Sequence, residues 1–501
     1  MIRRLLIANR GEIAIRILRT CREMGIEAVA VYSEIDSGAA HVVAADRAVP
    51  IGPAPAAQSY LSIPNILEAA RSSGADAIHP GYGFLSENPA LAAACERDGL
   101  TFVGPPSSVI ARMGSKVDAR RCMEAAGLPV VPGAVPDDQS DAGLGRAIEH
   151  VGFPALIKAV AGGGGKGMRL VTDRGGIDAA VQAARREAVG AFGNGALYVE
   201  RRLESPHHVE VQVFADAHGH AMHLFERECS VQRRHQKVVE ESPSPNLTPG
   251  LRRRITDAAV RAVEASSYRN AGTVEFLVDL SSGRHDTAPF YFLEMNTRLQ
   301  VEHGVTEEVV GVDLVRAQIL VAAGEALPWT PAQVSQRGHA IEARIYAEDP
   351  RDFLPQAGWL HLYREPRMPG VRIDSGVREG DEVTIHYDPL LAKVVASAET
   401  RDLAIARLTA ALRAFPILGI RTNMPLLLAV LGHDRFLAGT FDTSVLDRVG
   451  ASIVPTPTGE MPGAVLAALA AASLADGNTS ATAPSARPSD PWRDLRGWRA
   501  S

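Results

Sequence analysis

Short apolar runs alternating with helix-spaced apolar positions open the chain. Residues 5–8 suit a buried strand; Ile13, Ile17 and Leu18 then recur at helical spacing, and Gly25 closes that helix. Residues 28–31, 75–78 and 101–103 read as further strands, with Pro80, Gly81 and Gly83 in the loop after the second and Gly104-Pro105-Pro106 ending the third. This βαβ rhythm predicts a doubly wound α/β domain up to about residue 112. The middle of the chain differs. Strand signals at 155–159, 168–171, 197–200, 209–214, 222–228, 273–278 and 290–294 follow one another without helical patterns between, which predicts antiparallel sheet in an α+β region. From about residue 338, short strands at 340–345, 371–373 and 383–385 precede two helical patterns at 402–414 and 423–431. After about Gly450 the composition shifts to Ala, Pro, Ser and Thr, the signature of a flexible linker with one weak Ala-rich helix. There is no solenoid-type repeat.

Bulk properties narrow the class. The 501 residues allow about three domains, and 46% apolar with 22% charged residues is ordinary for a soluble globular protein. Aromatics are only 5%, so Ala, Val, Leu and Ile must fill the core. A net charge of −6 gives no bulk attraction for nucleic acid or anionic membrane, though a local basic pocket remains compatible with an anionic substrate. Cys21, Cys95, Cys122 and Cys229 are far apart and form no Cys-x-x-Cys pair, which argues against a disulfide framework or zinc site and for a reducing compartment. The apolar run at the start is too short for a signal peptide, and no stretch reaches the ~18 apolar residues of a membrane span. The expected location is the cytoplasm.

Four stretches carry candidate chemistry. Residues 162–167 (GGGGKG) offer bare backbone N–H groups that can cradle phosphate, with Lys166 as a cation. No Ser or Thr follows the lysine and a strand comes next, so this is not a P-loop. A mobile surface turn is the competing reading. In residues 290–303, an extended chain would put Glu294, Asn296, Arg298, Gln300 and Glu302 on one face and Leu293, Met295, Leu299 and Val301 on the other. With Glu275 on a separate strand, these oxygens suit Mg²⁺ bridging phosphates, while spacing alone equally allows a solvated face of paired charges. His208, Glu210 and Gln212 alternate likewise, and there an ordinary polar sheet face is favoured over a metal site. Residues 226–237 concentrate cations where an anion could be held, or form a solvated loop; Cys229 among them reads as a packed thiol rather than a nucleophile.

Taken together with residues 7–14 (IANRGEIA), 79–88 (HPGYGFLSEN), 227–241 (RECSVQRRHQKVVEE) and 294–302 (EMNTRLQVE), the glycine loop gives the chain a resemblance to the biotin carboxylase family over about residues 1–447. That resemblance implies an N-terminal Rossmann-like domain over residues 1–112, an ATP-grasp domain over 113–330, a C-terminal α/β domain over 331–447 and a tail over 448–501. The activity implied is carboxylation of biotin with ATP, Mg²⁺ or Mn²⁺, and bicarbonate. Lys116 and Lys158 match lysines that contact ATP phosphates, and Gly163, Gly164, Gly165, Lys166 and Gly167 match the nucleotide lid. Glu200 and Leu203 match the adenine hinge, and His208, Gln232 and His235 line the nucleotide site. Glu275 and Glu294 match metal ligands, with Asn296 beside them. Lys237, Arg298, Gln300 and Val301 match the bicarbonate pocket, Glu302 the general base, and Arg344 the residue beside the biotin ureido oxygen.

One position departs from the usual family pattern: Gly304 stands after Glu302-His303 where most members have Pro, which loosens the backbone beside the implied base. Residues 342–350 (EARIYAEDP) and 387–393 (YDPLLAK) lean towards acyl-CoA carboxylase α-subunits rather than the free-standing acetyl-CoA carboxylase subunit. No Ala-Met-Lys-Met-like biotinylation motif is present, so the biotin is expected on a separate biotin carboxyl carrier protein, with a carboxyltransferase subunit as second partner and a homodimer as the assembly. Residues 490–499 resemble the linker that enters a following domain. The competing functions are another ATP-grasp ligase, against which HQKVVEE and Arg344 argue, and a non-catalytic scaffold subunit of a carboxylase complex.

Overall fold

A computed structural model describes residues 2–160, 168–234, 236–281 and 286–455. The first sheet is all parallel, ordered Arg47–Pro50, Glu27–Tyr32, Arg4–Ile7, Ala77–His79, Thr101–Phe102. Leu5, Leu6 and Ile7 are wholly buried because the helices Gly11–Glu23 and Ile63–Ser73 supply apolar partners for the central strand. The strand order reverses beside Arg4–Ile7, and a ligand crevice lies outside the carboxyl ends at such a point. Two of the sequence motifs meet there: Asn9 Nδ2 donates to Pro80 O (2.8 Å) and Tyr82 O (2.7 Å).

A small antiparallel sheet follows, ordered Gly133–Ala134, Leu197–Arg201, Ala155–Ala159, Arg169–Val171. It packs on the helices Asp141–Val151 and Ile177–Phe192. The larger sheet has eight strands, ordered Phe290–Asn296, Asn270–Val278, His207–Ala215, Ala221–Arg233, Gln236–Ser242, His339–Tyr346, Leu390–Ala398, Val371–Ser375, every pair antiparallel. It is continuous across the stretch where the composition changes, because Gln236–Ser242 pairs directly with His339–Tyr346. Residues 1–454 accordingly form one compact unit.

Antiparallel sheet in the middle of the chain is as expected, with two differences. The helices Ile177–Phe192 and Pro249–Ala265 interrupt a region read as strands alone, and the strand Leu390–Ala398 was not anticipated. Both helices have a buried apolar stripe, but their many Arg, Asp and Ala residues weaken the apolar contrast in sequence. The composition shift near Gly450 does not mark the last packed residue either, since Val449, Ile453 and Val454 still lie on the C-terminal core. The linker expected beyond lies outside the described residues from 456 onward.

Candidate active site

One face of the large sheet and the end of the small one enclose a cavity of about 740 Å³. Its wall takes Lys158, Glu200 and Leu203 from the small sheet and its exit, His208, Gln232, Lys237, Glu275, Glu294 and Asn296 from the large sheet, Arg298, Gln300, Val301 and Glu302 from the turn after it, and Arg344 from the strand His339–Tyr346. Lys116 stands at the rim, its Nζ 3.5 Å from Glu294 Oε2. A second cavity of similar size, lined by residues between Tyr363 and Glu379, gathers none of the predicted residues. Gly163, Gly164, Gly165, Lys166, Gly167 and His235 lie outside the described residues.

The centre of the site is a buried ammonium. Lys237 Nζ donates to Glu210 Oε2 (2.5 Å), Glu275 Oε1 (2.9 Å) and Glu302 Oε1 (2.6 Å). Burial alone would lower the Lys237 pKa, but Glu210, Glu275 and Glu302 outweigh it and hold the lysine well above its usual range. Glu302 is balanced in the opposite sense. Burial raises it, while Lys237, Arg344 and Arg227 keep it ionised well below the usual carboxylate range. Arg344 Nη2 donates to Glu302 Oε2 at 2.7 Å and lies 2.6 Å from Glu240 Oε1. Glu240 has no comparable set of cations, and burial pushes it up to about 7. Cys229 Sγ is 3.9 Å from Glu302 Oε1 and buried, and its thiol is pushed well up by burial, which fits a packed thiol.

The expected metal ligands are adjacent. Glu275 and Glu294 face each other across neighbouring strands, as do Thr273 and Asn296. Asn296 Nδ2 and Gln300 Nε2 donate to Glu275 Oε1 at 2.8 and 3.0 Å, and His208 Nε2 is 2.8 Å from Glu275 Oε2. Glu294 is 43% exposed in its side chain and, among the described residues, has Lys116 alone at salt-bridge distance, so a carboxylate is available beside Glu275. All three donors are hard oxygens, which fits Mg²⁺ or Mn²⁺. The clusters His208/Glu210/Glu275 and Glu210/Cys229/Glu302 also have ligand spacing, and the Lys237 ammonium bridges their carboxylates.

Two expectations need correction. Residues 290–302 are not one extended run: the strand stops at Asn296, and Arg298, Gln300 and Glu302 come back to the site through a turn. A shift in pairing between Glu275↔Glu294 and Phe276↔Phe292 also leaves Leu293 as an extra residue, which lines the cavity instead of the apolar face. Secondly, the polar faces of residues 207–213 and 226–233 are not solvated. Glu210, Gln212, Glu226 and Arg227 are fully buried, and Arg227 bonds Glu210, Gln212 and Thr306 in the floor of the site. Glu210 and Arg227 were given no site role, although Glu210 stood in the alternation at 207–213 and Arg227 opened the motif at 227–241; the strands place the two opposite each other. Glu87 of HPGYGFLSEN was missed too; it accepts from Arg298 Nε (3.1 Å) and Thr297 N (3.1 Å). Lys158 is ion-paired to Glu200, which also lies 3.4 Å from Arg120.

Known proteins share this arrangement. Family models match for the biotin carboxylase N-terminal domain over residues 1–110, the carbamoyl-phosphate synthase L chain ATP-binding domain over 115–330 and the biotin carboxylase C-terminal domain over 342–448. A biotin carboxylase of Halalkalibacterium halodurans is 50% identical over 447 residues, 89% of this chain and 97% of that protein. The chain belongs to the biotin carboxylase family. Biotin carboxylases are ATP-grasp ligases, and the fold of the three segments follows that of solved members. The biotin carboxylase domain dimer of Hydrogenobacter thermophilus 2-oxoglutarate carboxylase, solved with MgADP, ADP and bicarbonate, superposes with a TM-score of 0.86 at 41% identity, covering 91% of this chain and 100% of that one. The mitochondrial methylcrotonoyl-CoA carboxylase subunit alpha of Rattus norvegicus is 50% identical over 457 residues, 91% of this chain, but the chain spans only 63% of its length. No described helix of the chain is long and apolar enough to cross a membrane.

Proposed function

We propose that the chain carboxylates biotin on a separate biotin carboxyl carrier protein, using ATP and bicarbonate, as the first half-reaction of an acyl-CoA carboxylase. The observation that carries this reading is the ionised Glu302 clamped between Lys237 and Arg344 inside the cavity that also holds Lys158 and Glu200. Lys116 and Lys158 hold the nucleotide phosphates, and Glu200 with Leu203 receives the adenine. Glu275 and Glu294, with Asn296 beside them, would hold Mg²⁺, which would neutralise charge on the nucleotide. Lys237, Arg298, Gln300 and the Val301 backbone hold bicarbonate. Bicarbonate is an anion, so bound beside Lys237 and Arg298 it offsets part of their positive charge. Glu302 thereby loses part of the field that holds its pKa down, and its basicity rises. It takes the bicarbonate proton as the bicarbonate oxygen attacks the γ-phosphorus and ADP leaves. The carboxyphosphate formed breaks down to CO₂ and phosphate; the phosphate accepts the biotin N1′ proton, and N1′ attacks CO₂. Arg344 neutralises the ureido oxygen as it gains charge.

The division at residues 112, 330 and 447 belongs to the same proposal, supported by the family-model boundaries. So do a carboxyltransferase partner and a homodimer. The similarity to methylcrotonoyl-CoA carboxylase α-subunits supports an acyl-CoA as the final acceptor. The test is ADP release by the purified chain with Mg²⁺, ATP and bicarbonate, with and without free biotin. Bicarbonate-dependent turnover stimulated by biotin is expected. Turnover indifferent to both, responding instead to another carboxylate or an amine, would move the chain to a different ligase activity, and nucleotide binding without turnover would make it a scaffold.

A further inference from the structure

Two motifs, IANRGEIA and YDPLLAK, have no part in the steps above, yet the fold delivers both to the reacting carboxylate. Lys393, on the strand Leu390–Ala398, has no solvent exposure. Its Nζ donates to the carbonyl oxygen of Val301 at 2.6 Å and stands 3.2 Å from Glu12 Oε1. Glu12 lies in the first turn of Gly11–Glu23, and its Oε1 also accepts from the Tyr82 hydroxyl of HPGYGFLSEN. Residues from the N-terminal, central and C-terminal segments thus meet at one ammonium. The backbones are equally close: a Cβ at Gly376 would lie 2.6 Å from Glu12 N.

A buried ammonium is often replaceable by an apolar side chain without loss of stability, so packing alone gives weak reason for one here. Its contact with Val301 gives a stronger one. The peptide group is planar, so the Val301 carbonyl, the Glu302 nitrogen and the Glu302 Cα share one plane. Fixing that oxygen restrains the plane and so places the Glu302 nitrogen and Cα from which the side chain departs. The segment is tied at Thr297 and Arg298 by Glu87 and at the Gln300 side chain by Glu275, while its Val301 carbonyl is held by Lys393. It is irregular from Thr297 to Glu302, and the His303 N–H reaches Gln300 O only at 3.4 Å. Two further acids lie near Lys393, and one of them has its own cations. Asp374, 4.0 Å away, is held by Arg372 and Arg19, and Arg372 also reaches Glu307. Glu342, beside it, is fully buried with neither carboxyl oxygen hydrogen-bonded.

We propose that Lys393, braced by Glu12 and Tyr82, is a positioning residue that sets the Val301–Glu302 peptide and with it the carboxylate that deprotonates bicarbonate. This rests on the biotin carboxylase reading. The experiment compares the intact chain with Lys393→Met, Lys393→Arg and the double variant Glu12→Gln/Lys393→Met, which neutralises both partners of the buried pair. The readouts are kcat/KM for bicarbonate in ADP release and the affinity for MgADP by calorimetry. A misplacement of about 1 Å in a reacting group costs about 100-fold. We expect a loss of about that size in bicarbonate kcat/KM for Lys393→Met and the double variant, partial recovery in Lys393→Arg, and MgADP affinity within about twofold of the parent. Should Lys393→Met not fold, the double variant carries the same comparison. Unchanged bicarbonate kinetics in a folded variant, or an equal loss of MgADP affinity, would overturn the proposal while leaving the biotin carboxylase reading intact. A parent chain without bicarbonate-dependent turnover would overturn both.

Discussion

Replacing Glu302 by Gln keeps the shape of the side chain and removes the charge that the site is built around. In the parent, Oε1 accepts from Lys237 at 2.6 Å and Oε2 from Arg344 at 2.7 Å. An amide offers one acceptor, so one of those contacts must break and an NH₂ group must turn towards a cation. Neither cation is orphaned by this. Lys237 retains Glu210 and Glu275, and Arg344 retains Glu240. The full cost of about 3–5 kcal/mol for breaking a buried ion pair therefore does not apply, and about 1.5–3 kcal/mol, the scale of one hydrogen bond to a charged group, is expected in a urea titration. Catalysis should suffer more. A general base contributes about 10²–10⁴-fold, equivalent to about 3–5 kcal/mol of barrier. The assay is bicarbonate-dependent ADP release at saturating ATP, run beside MgADP calorimetry on the same preparation. The expected result is a fall in kcat of at least about 100-fold with MgADP affinity nearly unchanged. A kcat within tenfold of the parent, in a folded variant that binds nucleotide, would refute the assignment of the base.

Four further outcomes follow from the same geometry. Arg344→Gln should cut biotin-stimulated turnover by about 100-fold or more, the usual loss for one oxyanion donor, and leave MgADP affinity alone; equal losses in both would count against its role beside the ureido oxygen. Glu294→Gln should weaken Mn²⁺ binding in the presence of ADP, read by electron paramagnetic resonance, by more than about tenfold, a loss that even outer ligands command; unchanged Mn²⁺ binding would remove Glu294 from the metal set. Burial lowers His79 to about 4, and the Gly81 N–H donating to Nδ1 at 3.0 Å fixes the neutral form. The unfolded chain then binds the extra proton between the unfolded His value of about 6.5 and the folded value, so stability falls as pH drops through that window; the slope should be shallower by about 1.4 kcal/mol per pH unit in His79→Gln, and an unaltered slope would place the acid sensitivity elsewhere. Gly304→Ala should change stability by no more than about 1 kcal/mol, because the helix gain is opposed by a methyl only 3.2 Å from Glu342 Oε2 and Val395 Cγ2, and turnover should stay within threefold; a larger loss would mean that this packing reaches Glu302.

Periodicity found the residues of the site more reliably than it found their geometry. Alternation along 290–302 grouped Glu294, Asn296, Arg298, Gln300 and Glu302, and all five line one cavity. Only the first two do so from a strand; the others return through a turn whose shape depends on Glu87 and Lys393, both distant in sequence. The reading of 207–213 failed differently. The alternation was real, but a polar face opposite another polar face is indistinguishable in sequence from a polar face opposite water. Burial of Glu210 is decided by Arg227 on the neighbouring strand and by Thr306 behind it.

Lys393 shows where local pattern runs out. Residues 390–398 (LLAKVVASA) suit a buried strand except for one lysine, and a lysine in an apolar run argues locally against burial. The structure accepts it because Glu12 and the Val301 carbonyl arrive from two other parts of the chain. Each is unfavourable alone: a carboxylate in the first turn of a buried helix, a carbonyl in an irregular turn, an ammonium in a core strand. Their costs cancel only after the N-terminal, central and C-terminal segments have come together. The junction is therefore satisfied only in the assembled fold, and the position it gives the Val301–Glu302 peptide is specified by none of the three segments separately.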